Sequence, residues 1–190
     1  MHNSMAQQTF RQVLQALASP GQVCVLPSPD WDSPFSPAVT AILLTLVDRD
    51  CPLALPDYPS EAVEPWLGQH LGLQPCTPDM ADFVVYRAGN WHWPALRDLP
   101  QGSESHPEQG ATLILDIPAN VIPVPWSLRG PGRPGHTLCP LPLDIGAESA
   151  LQDNADRYPR GVDILLCQGN QCIGLPRSIR LEYQGVTCPM

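Results

Sequence analysis

The sequence predicts an α/β fold of three layers, α/β/α, in which a mixed β-sheet lies between two layers of helices. Helix and strand patterns alternate through the first half of the chain, which is typical of this class. The run Thr112–Ile117 is nearly continuous in apolar residues, as expected for a central strand covered on both faces. Two later apolar runs are separated by Gly169 and Asn170, which predicts an antiparallel hairpin and therefore a mixed sheet. With no internal repeat or boundary, we expect a single domain over residues 1–190.

The first elements follow from periodicity and from helix-end signals. An apolar stripe with helical spacing predicts a helix over residues 6–18, ended by Ser19-Pro20-Gly21; it consists of Phe10, Val13, Leu14 and Leu17. Residues 22–26 are β-branched and apolar enough for a strand. Ser36 and Pro37 predict the start of a second helix, as N-cap and first helical residue. The buried face of this helix is expected to be Ile42, Leu43, Leu46 and Val47.

The later elements are predicted in the same way. We expect a helix over residues 60–71 that Pro65 kinks or splits, and a strand over residues 121–128 that Pro123 and Pro125 place at an edge or a bend. A helix over residues 145–155 is expected to bury Ala147, Ala150 and Leu151. Residues 90–110 are expected to be mostly loop. The other predicted strands are residues 52–55, 82–87, 111–118, 162–167 and 172–175.

Every one of the ten basic side chains is an arginine, and the chain contains no lysine. A Schiff base to a carbonyl compound or to pyridoxal phosphate needs a primary amine, and a P-loop needs its lysine, so both are excluded. Arginine instead binds phosphate, phosphonate or carboxylate through two parallel hydrogen bonds. If the protein handles small molecules, we therefore expect it to bind anions. A GC-rich genome is the alternative explanation for this composition.

The charge and hydropathy patterns exclude other classes of function. A net charge of −9 disfavours nucleic acid and anionic membrane surfaces as partners. The longest apolar stretch, residues 38–47, is far shorter than the roughly 20 residues that span a bilayer. The first eight residues lack a secretory signal, so a cytoplasmic location is expected. Seven cysteines without dense spacing predict reduced, buried thiols.

Four stretches, in this order, resemble one protein family. They are residues 10–21 (FRQVLQALASPG), residues 110–115 (GATLIL), residues 128–132 (LRGPG), and a final run from Tyr158-Pro159-Arg160-Gly161-Val162-Asp163 to Leu175-Pro176-Arg177-Ser178. Together they resemble PhnH, the H subunit of the bacterial carbon–phosphorus lyase system, which degrades phosphonates. The chain differs from the usual family pattern after Gly132, where Arg133 stands in place of an aliphatic residue.

This resemblance implies a function within a complex. Members of the family work with the G, I and J subunits and, with G, I and L, help to make α-D-ribose 1-methylphosphonate 5-triphosphate from ATP and methylphosphonate. The resemblance also implies a homodimer and a fold similar to the large domain of pyridoxal-phosphate-dependent transferases. Because the chain lacks lysine, we expect no pyridoxal phosphate and no other cofactor, with ATP only as a substrate of the complex.

The sequence offers candidate binding residues but no catalytic set. Arg129, Gly130 and Gly132, together with Arg133, form a loop that suits an anion, although the alternative is a tight connection after a strand. Arg160 and Arg177 suit a cleft or a partner subunit; the alternative is ion pairing with neighbours such as Asp156, Asp163 or Glu182.

Other groupings are weaker. A zinc site from Cys167, Cys172, His136 and Cys139 has the wrong spacing, so no metal is expected. His92, between Trp91 and Trp93, is interpreted as part of a loop cover. No motif for a nucleophile elbow, a zinc protease or a dinucleotide fold occurs, and the catalytic residues stay unknown. The leading hypothesis is a scaffolding or docking subunit. The alternative is an independent binder or enzyme for an anionic phosphonate or nucleotide in an arginine-lined dimer cleft.

Overall fold

The computed structural model describes residues 2–30, 32–132 and 135–184, with side chains from residue 4 onward. The helices are α1 (His2–Ala18), α2 (Pro37–Leu46), α3 (Ser60–His70) and α4 (Ala147–Asp156). The strands are β1 (Val23–Val25), β2 (Leu53–Ala54), β3 (Phe83–Arg87), β4 (Thr112–Ile117), β5 (Val124–Arg129), β6 (Thr137–Leu141), β7 (Asp163–Gln168), β8 (Gln171–Leu175) and β9 (Arg180–Tyr183).

The larger sheet has six strands in the order β1-β8-β7-β4-β3-β2. Strands β2, β3, β4 and β7 run parallel, whereas β8 is antiparallel to both β7 and β1. The predicted mixed sheet is therefore confirmed. Its middle strand is the apolar run β4, in which Leu113 pairs with Val84 on one side and Ile164 on the other. Both neighbours of β4 are parallel, and its apolar residues are buried on both faces.

The two faces of this sheet are covered differently. Helices α1, α2 and α3 pack on one face and bury Val13, Leu43 and Leu67 against Ile114 and Leu165. On the other face, α4, several 3₁₀ turns and a second sheet of three strands, β6-β5-β9, form the covering layer. The predicted α/β/α layering is thus correct for one face only. The likeness to pyridoxal-phosphate-dependent transferases stays an expectation.

The second sheet corrects one alternative of the prediction for β5, which was an edge or a bend: the strand does not lie at an edge. β5 is the middle strand, antiparallel to β6 and to β9. It tolerates Pro125 because that position faces the end of β9, where the proline carbonyl accepts a hydrogen bond from the N–H of Gln184. Its inner face buries Trp126 and Leu128 completely, and this burial holds the small sheet against the larger one.

Helix ends largely follow the predicted signals. α1 ends at Ala18, and Gly21 adopts a positive φ of 78° at the turn into β1. α2 starts at Pro37 as predicted, although the hydroxyl of Ser36 makes no capping hydrogen bond. Pro65 lies inside α3, which runs as one uninterrupted helix instead of splitting. Within the described residues, no helix is both long and apolar enough to cross a membrane.

Candidate functional site

The final sequence motif is brought together at the amino end of β7. Asp163 begins β7, and Leu175 ends β8, its hairpin partner, so residues 158–163 and 175–178 become neighbours. The backbone N–H of Arg177 donates to Asp163 Oδ1 at 2.8 Å, which closes this end of the hairpin. Asp163 and Arg177, together with the segments in contact with them, form a cluster. This cluster is called the Arg177 node below.

The guanidinium of Arg177 is fully engaged inside the protein. Its Nη2 lies 2.6 Å from Asp163 Oδ2, and its Nε lies 3.2 Å from both carboxylate oxygens. Its Nη1 donates to the carbonyl oxygen of Pro107 at 2.6 Å. Only 12% of the Arg177 side chain is exposed, so these charge-assisted contacts are largely shielded from water. The ion pair with Asp163, one of the sequence alternatives, is therefore confirmed.

Two glycines of the motifs are required by this packing. A Cβ added at Gly110 would lie 2.4 Å from the carbonyl oxygen of Gly161 and 2.7 Å from Arg177 Nη1. Gly161 itself has a φ of +133°, a conformation that L side chains rarely adopt. The buried amide of Asn154 holds the same segment, because it bonds both the N–H and the carbonyl of Val162 at 2.9 Å. These motif residues maintain the shape of the surface above them.

That surface contains an open depression of about 320 Å³, whose lining includes Arg177 and Asp163 of the node. Tyr158, Pro159, Pro176 and Glu108 contribute to its lining, and Tyr158 is 64% exposed. Arg160, which follows Pro159, is exposed too. The surface of Tyr158, Pro159 and Arg160 is called the 158–160 surface below. It exposes an aromatic ring and a guanidinium group to solvent.

The glycines of the candidate anion loop pack against neighbouring parts of the protein. A Cβ at Gly132 would lie 2.3 Å from the carbonyl oxygen of Ala18, at the end of α1, and Gly132 has a φ of +78°. A Cβ at Gly130 would lie 3.1 Å from Ile179 Cδ1. Both glycines therefore allow close contact with neighbouring backbone, which is the alternative raised from the sequence. The remaining member of this loop, Arg133, lies outside the described residues.

Arg129 does not join the Arg177 node. It ends β5, is exposed, and lies in a separate depression of about 130 Å³ on the outer face of the small sheet. Ligand pockets for drug-sized molecules usually measure about 300–1,000 Å³, so this depression is too small for a nucleotide. Arg160 is connected to the node through its neighbour Pro159, whose carbonyl oxygen lies 3.5 Å from Arg177 Nη1, whereas Arg129 lies in a separate depression.

The chain was compared with known proteins. Residues 2–182 match the family model described as "Bacterial phosphonate metabolism protein (PhnH)". This chain belongs to the PhnH family. One relative in this comparison, from Rhizobium meliloti strain 1021, is named alpha-D-ribose 1-methylphosphonate 5-triphosphate synthase subunit PhnH; it is 28% identical over 94% of this chain and 91% of its own length. Another, from Stutzerimonas stutzeri, is named putative C-P lyase subunit protein HtxG; it is 30% identical over 94% of this chain and 87% of its own length.

Membership of the PhnH family confirms the resemblance drawn from the four motifs. The matched region contains all four sequence motifs, and it includes both Asp163 and Arg177 of the node. The matches to the two relatives also cover most of each relative, so the family relation concerns the whole chain and not one motif.

A polar cluster in this PhnH-family chain was missed by sequence reasoning. At the carboxyl ends of β3 and β4, Asp116 Oδ2 accepts hydrogen bonds from the hydroxyl of Tyr58 at 2.9 Å and from the N–H of Ser36 at 3.2 Å. Burial, followed by the nearby charge of Asp116, raises the pKa of Tyr58 far above its usual value. The guanidinium of Arg87 lies 4.6 Å from the centre of the Tyr58 ring. The signal was Asp116 itself, a single acid within an otherwise apolar strand.

The cysteine and histidine groupings are not brought together. Cys167 and Cys172 face each other across the β7–β8 hairpin in the buried core, whereas Cys139 lies in the small sheet. The hydrogen bond that the Cys167 thiol makes to Cys172, together with burial, raises the pKa of Cys167. The six cysteines in the described part of the chain are free thiols, and within that part no three His, Cys, Asp or Glu side chains converge on a metal position. His92 is exposed between the buried Trp91 and Trp93.

Proposed function

We propose that this chain is a subunit of the carbon–phosphorus lyase core complex. Together with the G and I subunits and L, it makes α-D-ribose 1-methylphosphonate 5-triphosphate from ATP and methylphosphonate. The observation that carries the proposal is the family match over residues 2–182, because it covers nearly the whole chain. The printed names of the two relatives, a synthase subunit and a C-P lyase subunit, support the same function.

Within the complex, we assign the chain a scaffolding and docking role toward the I subunit. The Arg177 guanidinium is already bound by Asp163 and Pro107, so it shapes a surface and does not hold a reactant. The exposed 158–160 surface lies on this rigid support, and tyrosine and arginine are enriched among residues that dominate interface energies. We therefore propose that the 158–160 surface contacts a partner subunit.

The proposal extends to the setting of the complex. The J subunit is a further partner, the isolated chain is a homodimer, ATP is bound as a substrate of the complex, and the complex is cytoplasmic. No cofactor is assigned to this chain, and its ten cations are all arginines, which excludes a covalent imine with pyridoxal phosphate.

The test is reconstitution from purified subunits. G, I and L are incubated with ATP and methylphosphonate, with and without this chain, and adenine release is measured by chromatography. We expect adenine release to depend on this chain, and tagged G or I to retain it on an affinity column. Equal adenine release without the chain, or failure of G, I and J to retain it, would overturn the proposal.

The docking role has its own test. The double substitution Tyr158→Ala and Arg160→Ala should weaken retention by the tagged partners about tenfold or more, because aromatic and arginine anchors each contribute strongly to binding. The matched control is Arg49→Ala, which removes an exposed arginine whose one ion pair among the described residues is with its neighbour Asp50. If the double variant and the control bind equally well while adenine release still needs the chain, the subunit role stands and the docking surface is wrong.

A further inference from the structure

Two arginines face each other on the outer side of the small sheet. Arg129 on β5 and Arg180 on β9 are directly paired across the antiparallel ladder, so their side chains leave the same face. Like charges in directly opposite positions destabilise a sheet. Arg180 is partly neutralised by Asp156, whose Oδ1 lies 2.6 Å from its Nη2. Within the described residues, Arg129 forms no ion pair.

The two arginines line a depression that already contains hydrogen-bonding groups. It measures about 130 Å³ and is also lined by Ser127, His136 and Glu182. Ser127 is buried, and its Oγ lies 3.4 Å from His136 Nδ1. A depression with two guanidinium groups, a hydroxyl and an imidazole matches the donor set that proteins use for oxyanions.

The size of the depression restricts the ligand. The depression measures about 130 Å³, whereas pockets for drug-sized ligands usually measure about 300–1,000 Å³. A tetrahedral oxyanion is small enough for a depression below this range, whereas a nucleotide is not. We propose that this depression binds a small tetrahedral oxyanion, such as phosphate or methylphosphonate, between Arg129 and Arg180.

Glu182 makes the site selective for the protonation state of the bound oxyanion. It is paired with Ser127 across the β5–β9 ladder, so its carboxylate and the Ser127 hydroxyl share the face on which the anion binds. A carboxylate repels an acceptor oxygen but accepts a hydrogen bond from a P–O–H group. The site therefore favours an oxyanion that keeps at least one acidic proton. Sulfate, which has no proton at neutral pH, should bind more weakly than hydrogen phosphate.

The charges around the site are balanced before a ligand binds. Arg129 and Arg180 face Asp156 and Glu182, with His136 beside them. The site therefore has no excess positive charge that would attract anions in general, and the net charge of the whole chain is −9. Binding has to come from the local geometry of the arginine pair. The inference does not rest on the proposed subunit function, since it concerns the isolated chain.

Isothermal titration of the full chain in chloride buffer tests this site, with inorganic phosphate, methylphosphonate, sulfate and ATP as separate probes. We expect phosphate or methylphosphonate to bind, and Arg129→Met to weaken that binding about tenfold or more, because a charge-assisted contact is lost. Glu182→Gln should strengthen binding several-fold and should remove the discrimination against sulfate. Arg49→Met, which removes the same charge at a distant exposed position, should leave binding unchanged.

Each outcome decides the question. Preference for phosphate or for methylphosphonate identifies the source of the anion, and either supports the site. The inference fails if neither anion binds at millimolar concentration, if Arg49→Met weakens binding as much as Arg129→Met, or if ATP binds more tightly than both small anions. Thermal melting of Arg129→Met serves as the folding control. Because Arg129 is exposed and faces a like charge on Arg180, the melting temperature of the variant should equal or slightly exceed that of the wild type.

Discussion

Replacing Arg177 by alanine should destabilise the protein strongly although no apolar core is disturbed. The substitution removes an ion pair with Asp163 and a hydrogen bond to the carbonyl of Pro107, both at 2.6 Å. The exposed fractions of the two charged side chains are 12% and 24%, so water replaces these contacts only in part. Breaking a buried pair by removing one partner costs about 3–5 kcal/mol. Because Asp163 keeps some solvent contact and its bond from the Arg177 N–H, we expect about 3 kcal/mol.

That free energy converts into a measurable shift. For a domain of about 150–250 residues, 1 kcal/mol corresponds to about 2–4 °C in melting temperature, so Arg177→Ala should melt about 6–12 °C lower. Arg177→Lys keeps the charge but loses the two-pronged contact and should fall in between. The control is Arg160→Ala, a nearby exposed arginine, expected to change stability by less than about 0.5 kcal/mol. Circular dichroism melts that place Arg177→Ala within 1–2 °C (about 0.5 kcal/mol) of Arg160→Ala would refute the assigned role of the node.

Three further predictions concern stability. Gly132→Ala should lower the free energy of unfolding by about 2 kcal/mol or more, since the added Cβ would lie 2.3 Å from the Ala18 carbonyl oxygen and φ at this position is +78°. Equal urea midpoints for the variant and the wild type would contradict this packing. Gly68→Ala should stabilise the protein by about 0.5–1 kcal/mol, because Gly68 lies inside α3 and no atom lies within 4 Å of the position of an added Cβ. A urea midpoint below that of the wild type would show that this position is not open. Tyr58→Phe should cost about 1–3 kcal/mol at neutral pH through the lost bond to Asp116, and it should also make stability less sensitive to alkaline pH.

The direction of this alkaline effect follows from the raised pKa of Tyr58. The folded protein keeps the phenol protonated, whereas the unfolded chain loses that proton near pH 10. The unfolded state therefore gains stability as pH rises above 10, and the contribution of Tyr58 to folding declines there. Urea midpoints between about pH 8 and pH 11 should fall more steeply for the wild type than for Tyr58→Phe. Parallel slopes would show that Tyr58 is not linked to the alkaline transition.

Elements with a strong local pattern were predicted well from the sequence. The stripe of Phe10, Val13, Leu14 and Leu17 forecast α1, and the turn at Gly169-Asn170 forecast the β7–β8 hairpin with correct pairing. These signals are local, since one helical repeat or one turn specifies each of them, although Phe10 and Leu14 of the stripe are exposed and Val13 is the buried one. Strands β6 and β9 were not predicted. β6 contains Pro140, and β9 has only four residues, too few to establish an alternating pattern.

For the candidate site, too, sequence reasoning reached only those contacts that a local pattern specifies. Pairing of Arg177 with Asp163 was an open alternative, and the hairpin that joins them was recognised, so the outcome was within reach of sequence reasoning. The pairing of Arg129 with Arg180 could not be predicted from the sequence. The sequence gives no signal for β9, and it predicts an edge or a bend for the partner strand β5. The glycines of the loop after β5 were interpreted through turn chemistry, but only the fold shows that Gly132 contacts the end of α1.

The small sheet depends on a strand from the far end of the chain. Trp126 pairs with Tyr183, more than fifty positions later, and their rings lie 5.3 Å apart. One side of α4 seals the outer border of that late strand: Glu148 accepts from the Tyr183 N–H, Gln152 donates to the Leu181 carbonyl, and Asp156 pairs with Arg180. During synthesis on the ribosome, the indole of Trp126 therefore stays uncovered until residues 180–183 have emerged. A nascent chain stopped before residue 180 lacks this wall, and it would be an early substrate for chaperones and proteases.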